Sequence, residues 1–180
     1  MRRAIVVAGP MGSGKTTFCR STIAANPGIT LISRDDILNE LFGTVWLNPY
    51  TGQHQYGEKV MWERVATALQ AEHAFIILDT WNGSREERSK ITKNLRSFGA
   101  DWIAGWRFIT PEAIGLQWYI ERESVGKDEK QIRALKSPWR AEDYHHDYLL
   151  FHAHGVSEDQ GFNVVHDINP QQCSFLRYLK

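Results

Sequence analysis

Apolar residues along the chain fall into two patterns. The first is short continuous runs rich in β-branched and aromatic residues: Ala4–Ala8, Ile29–Ser33, Phe75–Leu78 ending at Asp79, and Trp102–Phe108. Such runs predict strands buried on both faces. The second is apolar residues recurring at helical spacing. Lys15–Ala25 reads as a helix ended by Asn26-Pro27-Gly28, and Asp36–Phe42 as a short helix. Glu58–His73 carries a stripe of Val60, Met61, Val65, Ala68 and Leu69. Ser84–Phe98 is a polar helix with Ile91, Leu95 and Phe98 apolar, and Pro111 opens a further helix to about Ser124, at a position proline favours. Phe162–His166 reads as a fifth strand and Pro170–Leu179 as a closing helix. Two stretches lack a period. Gly43–Gly57 is a long loop, of a length more often functional than idle. Glu123–Trp139, densely charged with one glycine and one proline, reads as a mobile lid.

Strands alternating with helices predict an α/β fold with a parallel sheet and right-handed crossovers. Ligands in such sheets bind at the carboxyl ends of the strands. A chain of 180 residues suits one domain, 1–180, with the lid at about 122–139. Composition alters this picture little: 42% hydrophobic and 23% charged residues are ordinary for a soluble protein. Lys+Arg and Asp+Glu balance at 21 each, so a nucleic-acid partner would need a local basic patch. Cys19 and Cys173 form no readable disulfide or C-x-x-C framework, as expected for a reducing cytoplasm. The basic-then-apolar start is too short for a signal peptide or a membrane span, so the expected location is cytoplasmic, with no membrane partner.

Gly9–Thr16, GPMGSGKT, fits G-x-x-x-x-G-K-[ST]. Gly9, Gly12 and Gly14 let the backbone bend so that N–H groups, with those of Ser13 and Thr17, meet phosphate oxygens. Lys15 brings a charge to the β and γ phosphates, and Thr16 offers a hydroxyl to Mg²⁺. The motif lies between a predicted strand and a predicted helix, as its chemistry demands. It therefore predicts ATP and Mg²⁺ as ligands and a P-loop NTPase-type, three-layer fold. Asp79, at the carboxyl end of FIILD, is the candidate second metal residue; it also reads as a strand-end cap.

A kinase needs more: an acceptor hydroxyl in line with the γ-phosphate, a base and cations for the spreading charge. Asp35, leaving the second strand in LISRDDIL, is the best candidate base. Ser33, Asp35 or Asp36 can equally cap the following helix, and two adjacent aspartates allow one to cap while the other faces the site. The lid offers Arg122, Lys127, Lys130, Arg133 and Lys136, which either close over the phosphates and exclude water or form a solvated face. Of these cations Arg133 is assigned to the nucleotide.

The acceptor side is assigned Arg34, Trp46, Trp81 and Arg88. Trp46 and Trp81, with Tyr50 nearby, are placed to stack bases, whereas Trp62, Trp102, Trp106 and Trp118 read as core. The histidine-rich stretch 145–166, with Asp143 and Asp147, matches no metal motif and reads as a polar connection between helix and strand.

NPGITLISRDDIL, FIILDTWN and the phosphate loop together resemble the phage polynucleotide kinase family over about the first ninety residues, and more weakly to about Trp139. The resemblance implies a 5′-kinase-type phosphotransferase. Lys15 and Thr16 would bind donor phosphates and metal, Asp35 would be the general base, Asp79 would belong to the site, and a lid arginine matching Arg122 would clamp the donor. It also implies a nucleic-acid substrate, DNA by preference, and, if the chain is phage-encoded, a host cytoplasm. Two positions depart from the family. Leu38 stands where an arginine steadies the acceptor's phosphate, and Val125–Lys127 lacks the second lid arginine. Leu38 brings in related phage kinases that modify a hydroxymethyl group on a DNA base. Two readings stand beside these: a kinase for a small nucleotide or nucleoside, and a nucleotide switch without phosphotransfer.

Overall fold

The computed structural model describes residues 1–136 and 138–171. In chain order the elements are β1 (Arg3–Ala8), α1 (Lys15–Ala25), β2 (Thr30–Ser33), α2 (Arg34–Phe42), α3 (Gln53–Ala68), β3 (Phe75–Asp79) and α4 (Arg85–Ser97). They continue as β4 (Trp102–Phe108), α5 (Glu112–Ser124), α6 (Glu129–Leu135), α7 (Pro138–Ala153), a 3₁₀ turn (Glu158–Gln160) and β5 (Val164–Ile168). All strand pairings are parallel, in the order β2-β3-β1-β4-β5.

β1 is central and buried on both faces, which is why its sequence does not alternate. Ala4, Val6 and Ala8 pack with Met61 and Val65 of α3 and Ile91 and Leu95 of α4. Ile5 and Val7 pack on the other face with Phe18 and Cys19 of α1, and with Trp106 and Phe108. Helices thus cover both faces, giving the expected three-layer α/β fold. Register then places the chemistry. Asp79 at the end of β3 lies beside Val7 of β1 and Ser33 of β2. The ends of β1, β3 and β2 therefore deliver the phosphate loop, Asp79 and the start of α2 to one edge of the sheet.

Several boundaries differ from expectation. α3 starts at Gln53 and ends at Ala68, so the long loop closes at Gly52. β5 starts at Val164, two residues later than its apolar run suggests. The larger difference is α7. Residues 145–153, read as part of a polar connection, belong to a 16-residue helix with Tyr144, Asp147 and Phe151 on its buried face. These recur at i, i+3 and i+7, a helical period carried partly by an aspartate. Among the described residues no group of three His, Cys, Asp or Glu side chains is placed to hold a metal. No described helix is long and apolar enough to cross a membrane. Of the closing helix expected at Pro170–Leu179, residues 172–180 lie outside the described part of the chain, as does Cys173.

Candidate active site

The loop between β1 and α1 has its phosphate-cradling shape because of its glycines. Gly12 (φ +69°) and Gly14 (φ +86°) occupy left-handed backbone that other residues avoid. Gly12 is also tightly enclosed: a Cβ there would lie 2.9 Å from Tyr119 Cβ and closer still to the Gly115 carbonyl. Gly14 caps α1 with no side-chain acceptor on the first-turn N–H groups. Lys15 Nζ donates to the carbonyls of Gly9 and Pro10 at 2.7 Å each and reaches Ser13 Oγ at 3.4 Å. Burial lowers the Lys15 pKa, opposed by the charges of Asp79 and Asp147, while Arg122 lowers it further. Thr17 follows, exposed at the mouth of α1. Thr110, just after β4, anchors the loop by donating to the Ser13 carbonyl at 2.8 Å.

Thr16 Oγ1 donates to Asp79 Oδ2 at 3.0 Å. Burial pushes the Asp79 carboxyl above its usual range; Lys15 and the Thr16 hydrogen bond counter this, and Asp35 and Asp36 add to it. A hydroxyl and a carboxylate side by side at the loop are hard oxygen donors. They fit Mg²⁺, which keeps most of its waters and completes its shell with phosphate oxygens rather than with a full protein cage.

Across the sheet edge, Ser33 caps α2 by accepting from the Asp36 N–H at 3.3 Å. Asp36 instead pairs with Arg20 at 2.8 Å. Asp35 is exposed and makes no hydrogen bond or ion pair among the described residues. Its charge is felt by Asp79, so the two carboxyls share one locality. Arg34 donates to His54 Nδ1 at 2.9 Å, which leaves the His54 proton on Nε2. Leu38 is fully buried against Gly57 of α3.

The other expected residues separate. Trp46 is 65% exposed on the long loop, and Trp81 is 46% exposed with its ring edge-on to Phe151 at 5.4 Å. Arg122 leaves α5 beside the loop, over the Tyr119 ring and paired with Glu123 at 3.0 Å. Arg133 is exposed in the last turn of α6. Arg88 is corrected: it is fully buried, so it is not available to an acceptor. Its guanidinium donates to Gln160 Oε1 and the Asn82 carbonyl, each at 2.7 Å, to Gly83, and to the carbonyls of His154 and Gly155. It stitches α4 to the chain after α7.

Three site neighbours escaped the sequence reading. Asp147 of α7, 8% exposed, accepts the Met11 N–H of the phosphate loop at 3.0 Å. Asn82 is buried and ties the turn after β3 to the Val7 carbonyl at 2.7 Å. Trp118, expected in the core, is only half-buried and lies on the phosphate loop at Gly14. The available signals were the Tyr144/Asp147/Phe151 spacing for the first and the Trp118/Arg122 one-turn spacing for the last.

Fold and loop define a P-loop domain of the α/β class. Residues 5–140 match AAA_33, an AAA domain, and the chain belongs to that family. No curated protein matches the sequence. Among solved structures it is similar to a candidate kinase from Chloroflexus aurantiacus (TM-score 0.69, 14% identity, 98% of this chain and 91% of that one). It is also similar to a chain of the Pnkp1/Rnl/Hen1 RNA repair complex (TM-score 0.62, 21% identity, 81% of this chain and 45% of that one). A fungal RNA kinase aligns with TM-score 0.56 and 19% identity over 96% of this chain and 77% of that one. The chain thus spans less than half the length of the RNA-repair protein it matches.

Proposed function

We propose that this chain is an ATP-dependent kinase that phosphorylates a hydroxyl group of a nucleic acid. The observation that carries the reading is Asp35. It is a carboxylate without a described hydrogen-bond or ion-pair partner, at the strand end facing the phosphate loop, while its neighbour Asp36 is engaged by Arg20. In this reading Asp35 accepts the proton of the acceptor hydroxyl as its oxygen bonds to the γ-phosphorus and the bond to the ADP oxygen breaks. Lys15 and Arg122 stabilise charge on the transferring group. Mg²⁺, when held by Thr16 and Asp79, would neutralise the β and γ oxygens. Arg122 and Arg133 close over the donor and exclude water, which suppresses hydrolysis.

The acceptor class rests on the exposed aromatic faces of Trp46 and Trp81, which suit unpaired bases, and on Arg34 beside Asp35. The RNA-kinase and RNA-repair structures it resembles point the same way. The test is transfer of γ-labelled phosphate to a panel: 5′-hydroxyl RNA and DNA oligonucleotides, hydroxymethylated DNA, and free nucleosides and nucleotides. Label is expected on one of the polymers. Label confined to nucleosides or nucleotides would replace this reading with a small-molecule kinase, and label confined to free phosphate with a switch.

A further inference from the structure

Two helices, α5 and α7, stand before and after α6 in the chain, and each is built into the phosphate loop at one of two consecutive residues. α5 lies against Gly12, where a Cβ would stand 2.9 Å from Tyr119 Cβ. α7 reaches Met11, whose N–H donates to Asp147 Oδ2 at 3.0 Å. That N–H is occupied within the chain and is not one the loop offers to a phosphate. Asp147 is only 8% exposed, yet it makes no other hydrogen bond and no ion pair among the described residues. Burying a carboxylate on the inner face of a helix is unfavourable, and an apolar side chain would serve the packing of α7 better. The packing of α7 alone does not account for it, whereas the contact with the loop does.

The fold also fixes where that carboxylate stands. Tyr144 and Phe151, one turn before and one turn after Asp147 on the same face, are both buried. Tyr144 packs on Tyr119 of α5, with ring centroids 6.0 Å apart, and its hydroxyl fills the space where Gly115 lacks a Cβ. Phe151 belongs to the core cluster that contains Ala8 at the end of β1. His145 meets Glu112, in the first turn of α5, at 2.6 Å. Asp147 is thus held from both sides and is not free to swing aside. A carboxylate that competed with phosphate for the loop would need that freedom. Its charge acts on Lys15, so it stands close to the phosphate site, but its hydrogen bond goes to the loop backbone.

We infer that Asp147 is a positioning residue for the donor: by holding the Met11 N–H it keeps the loop in the shape in which the N–H groups that follow converge on the phosphates. This role rests on the nucleoside-triphosphate reading of the loop. It gives α7 a part in donor affinity through the loop backbone rather than by contact with the nucleotide. Without the Asp147 acceptor the loop must be ordered at the moment of binding, which weakens affinity.

Asp147→Asn keeps an acceptor and loses the charge, whereas Asp147→Ala loses both, so the difference between the two variants isolates the hydrogen bond. Calorimetry of the full chain measures binding of ATP with Mg²⁺ to the wild type, to both variants and to Ile91→Ala. The last truncates the buried core on α4, away from the loop, and serves as a destabilised control. Thermal melts set a temperature at which all four are folded. Asp147→Asn is expected to bind ATP at least as tightly as the wild type, because a charge that repels phosphate is gone. Asp147→Ala is expected to bind on the order of tenfold more weakly than Asp147→Asn. Ile91→Ala is expected to keep the wild-type Kd despite a lower melting temperature. Equal Kd values for the two Asp147 variants would overturn the inference: both tighter than wild type would make Asp147 a competing anion, and both weaker would assign its effect to charge. A loss of affinity in Ile91→Ala matching that in Asp147→Ala would overturn it too, by making the effect one of stability. Failure of the wild type to bind ATP would instead remove the nucleotide reading of the loop, and the inference with it. No acceptor is present in these measurements, so the identity of the acceptor does not affect their outcome.

Discussion

Asp79 carries two opposed demands. Its position at the end of β3 buries it beside Thr16 and Lys15, where a carboxylate is useful to a cation but poorly solvated. Because burial raises its pKa, the folded chain holds this proton more tightly than the unfolded chain. The stability linked to that proton is present at low pH. It is lost as pH rises above the ordinary aspartate value, near about 4. At neutral pH the buried Asp79 carboxyl therefore weakens the ligand-free fold. Asp79→Asn is expected to raise the melting temperature of the ligand-free protein at pH 7, with the gain shrinking toward pH 4, while phosphotransfer is lost. Thermal melts across that range check it; a lower melting temperature at pH 7 contradicts the assignment. Asp35 is the contrasting case: exposed, without a described bonding partner, and two residues from the Ser33 cap that relieves both aspartates of capping α2.

Among the elements, α4 and α7 show where sequence patterns mislead. α4 reads as a polar helix, yet Arg88, Ile91, Thr92 and Leu95 share its buried stripe at i, i+3, i+4 and i+7. Arg88 was legible as an intruder on an apolar face, but charge alone suggested a ligand contact. The structure surrounds it with carbonyls from the turn after β3 and from the end of α7. Arg88→Met should leave several buried acceptors without donors and cost at least about 3 kcal/mol of stability by urea denaturation. The same variant is expected to keep its acceptor KM within about twofold under folding conditions; a KM effect without a stability loss would return Arg88 to the substrate. α7 was missed for a related reason. Its inward positions are a tyrosine, an aspartate and a phenylalanine set among histidines, a mixture that hides the helical period. That helix nevertheless reaches the phosphate loop through Asp147 and the Trp81 side of the site through Phe151.

At the scale of the whole molecule, the sheet was legible because a strand buried on both faces needs continuous apolar residues. The phosphate loop was legible because only glycines fit its backbone. Both follow from local rules. Contacts made by long-range packing, such as Thr110 on Ser13, Asp147 on Met11 and Trp118 on Gly14, have no local signature and emerged only when the topology placed β4, α5 and α7 around β1. The same topology divides the loop's surroundings into a β3–β2 side with Asp35 and a β4–β5 side with Trp118. That division is what turns a nucleotide-binding fold into a proposed transferase. Its most direct test is transfer of label from γ-labelled ATP to 5′-hydroxyl single-stranded oligonucleotides by the wild type and Asp35→Asn, with ATP affinity measured in parallel. The account predicts labelled oligonucleotide with the wild type, a rate at least about 100-fold lower with Asp35→Asn, and unchanged ATP affinity. Label released only as free phosphate, or near wild-type transfer by Asp35→Asn, would contradict it.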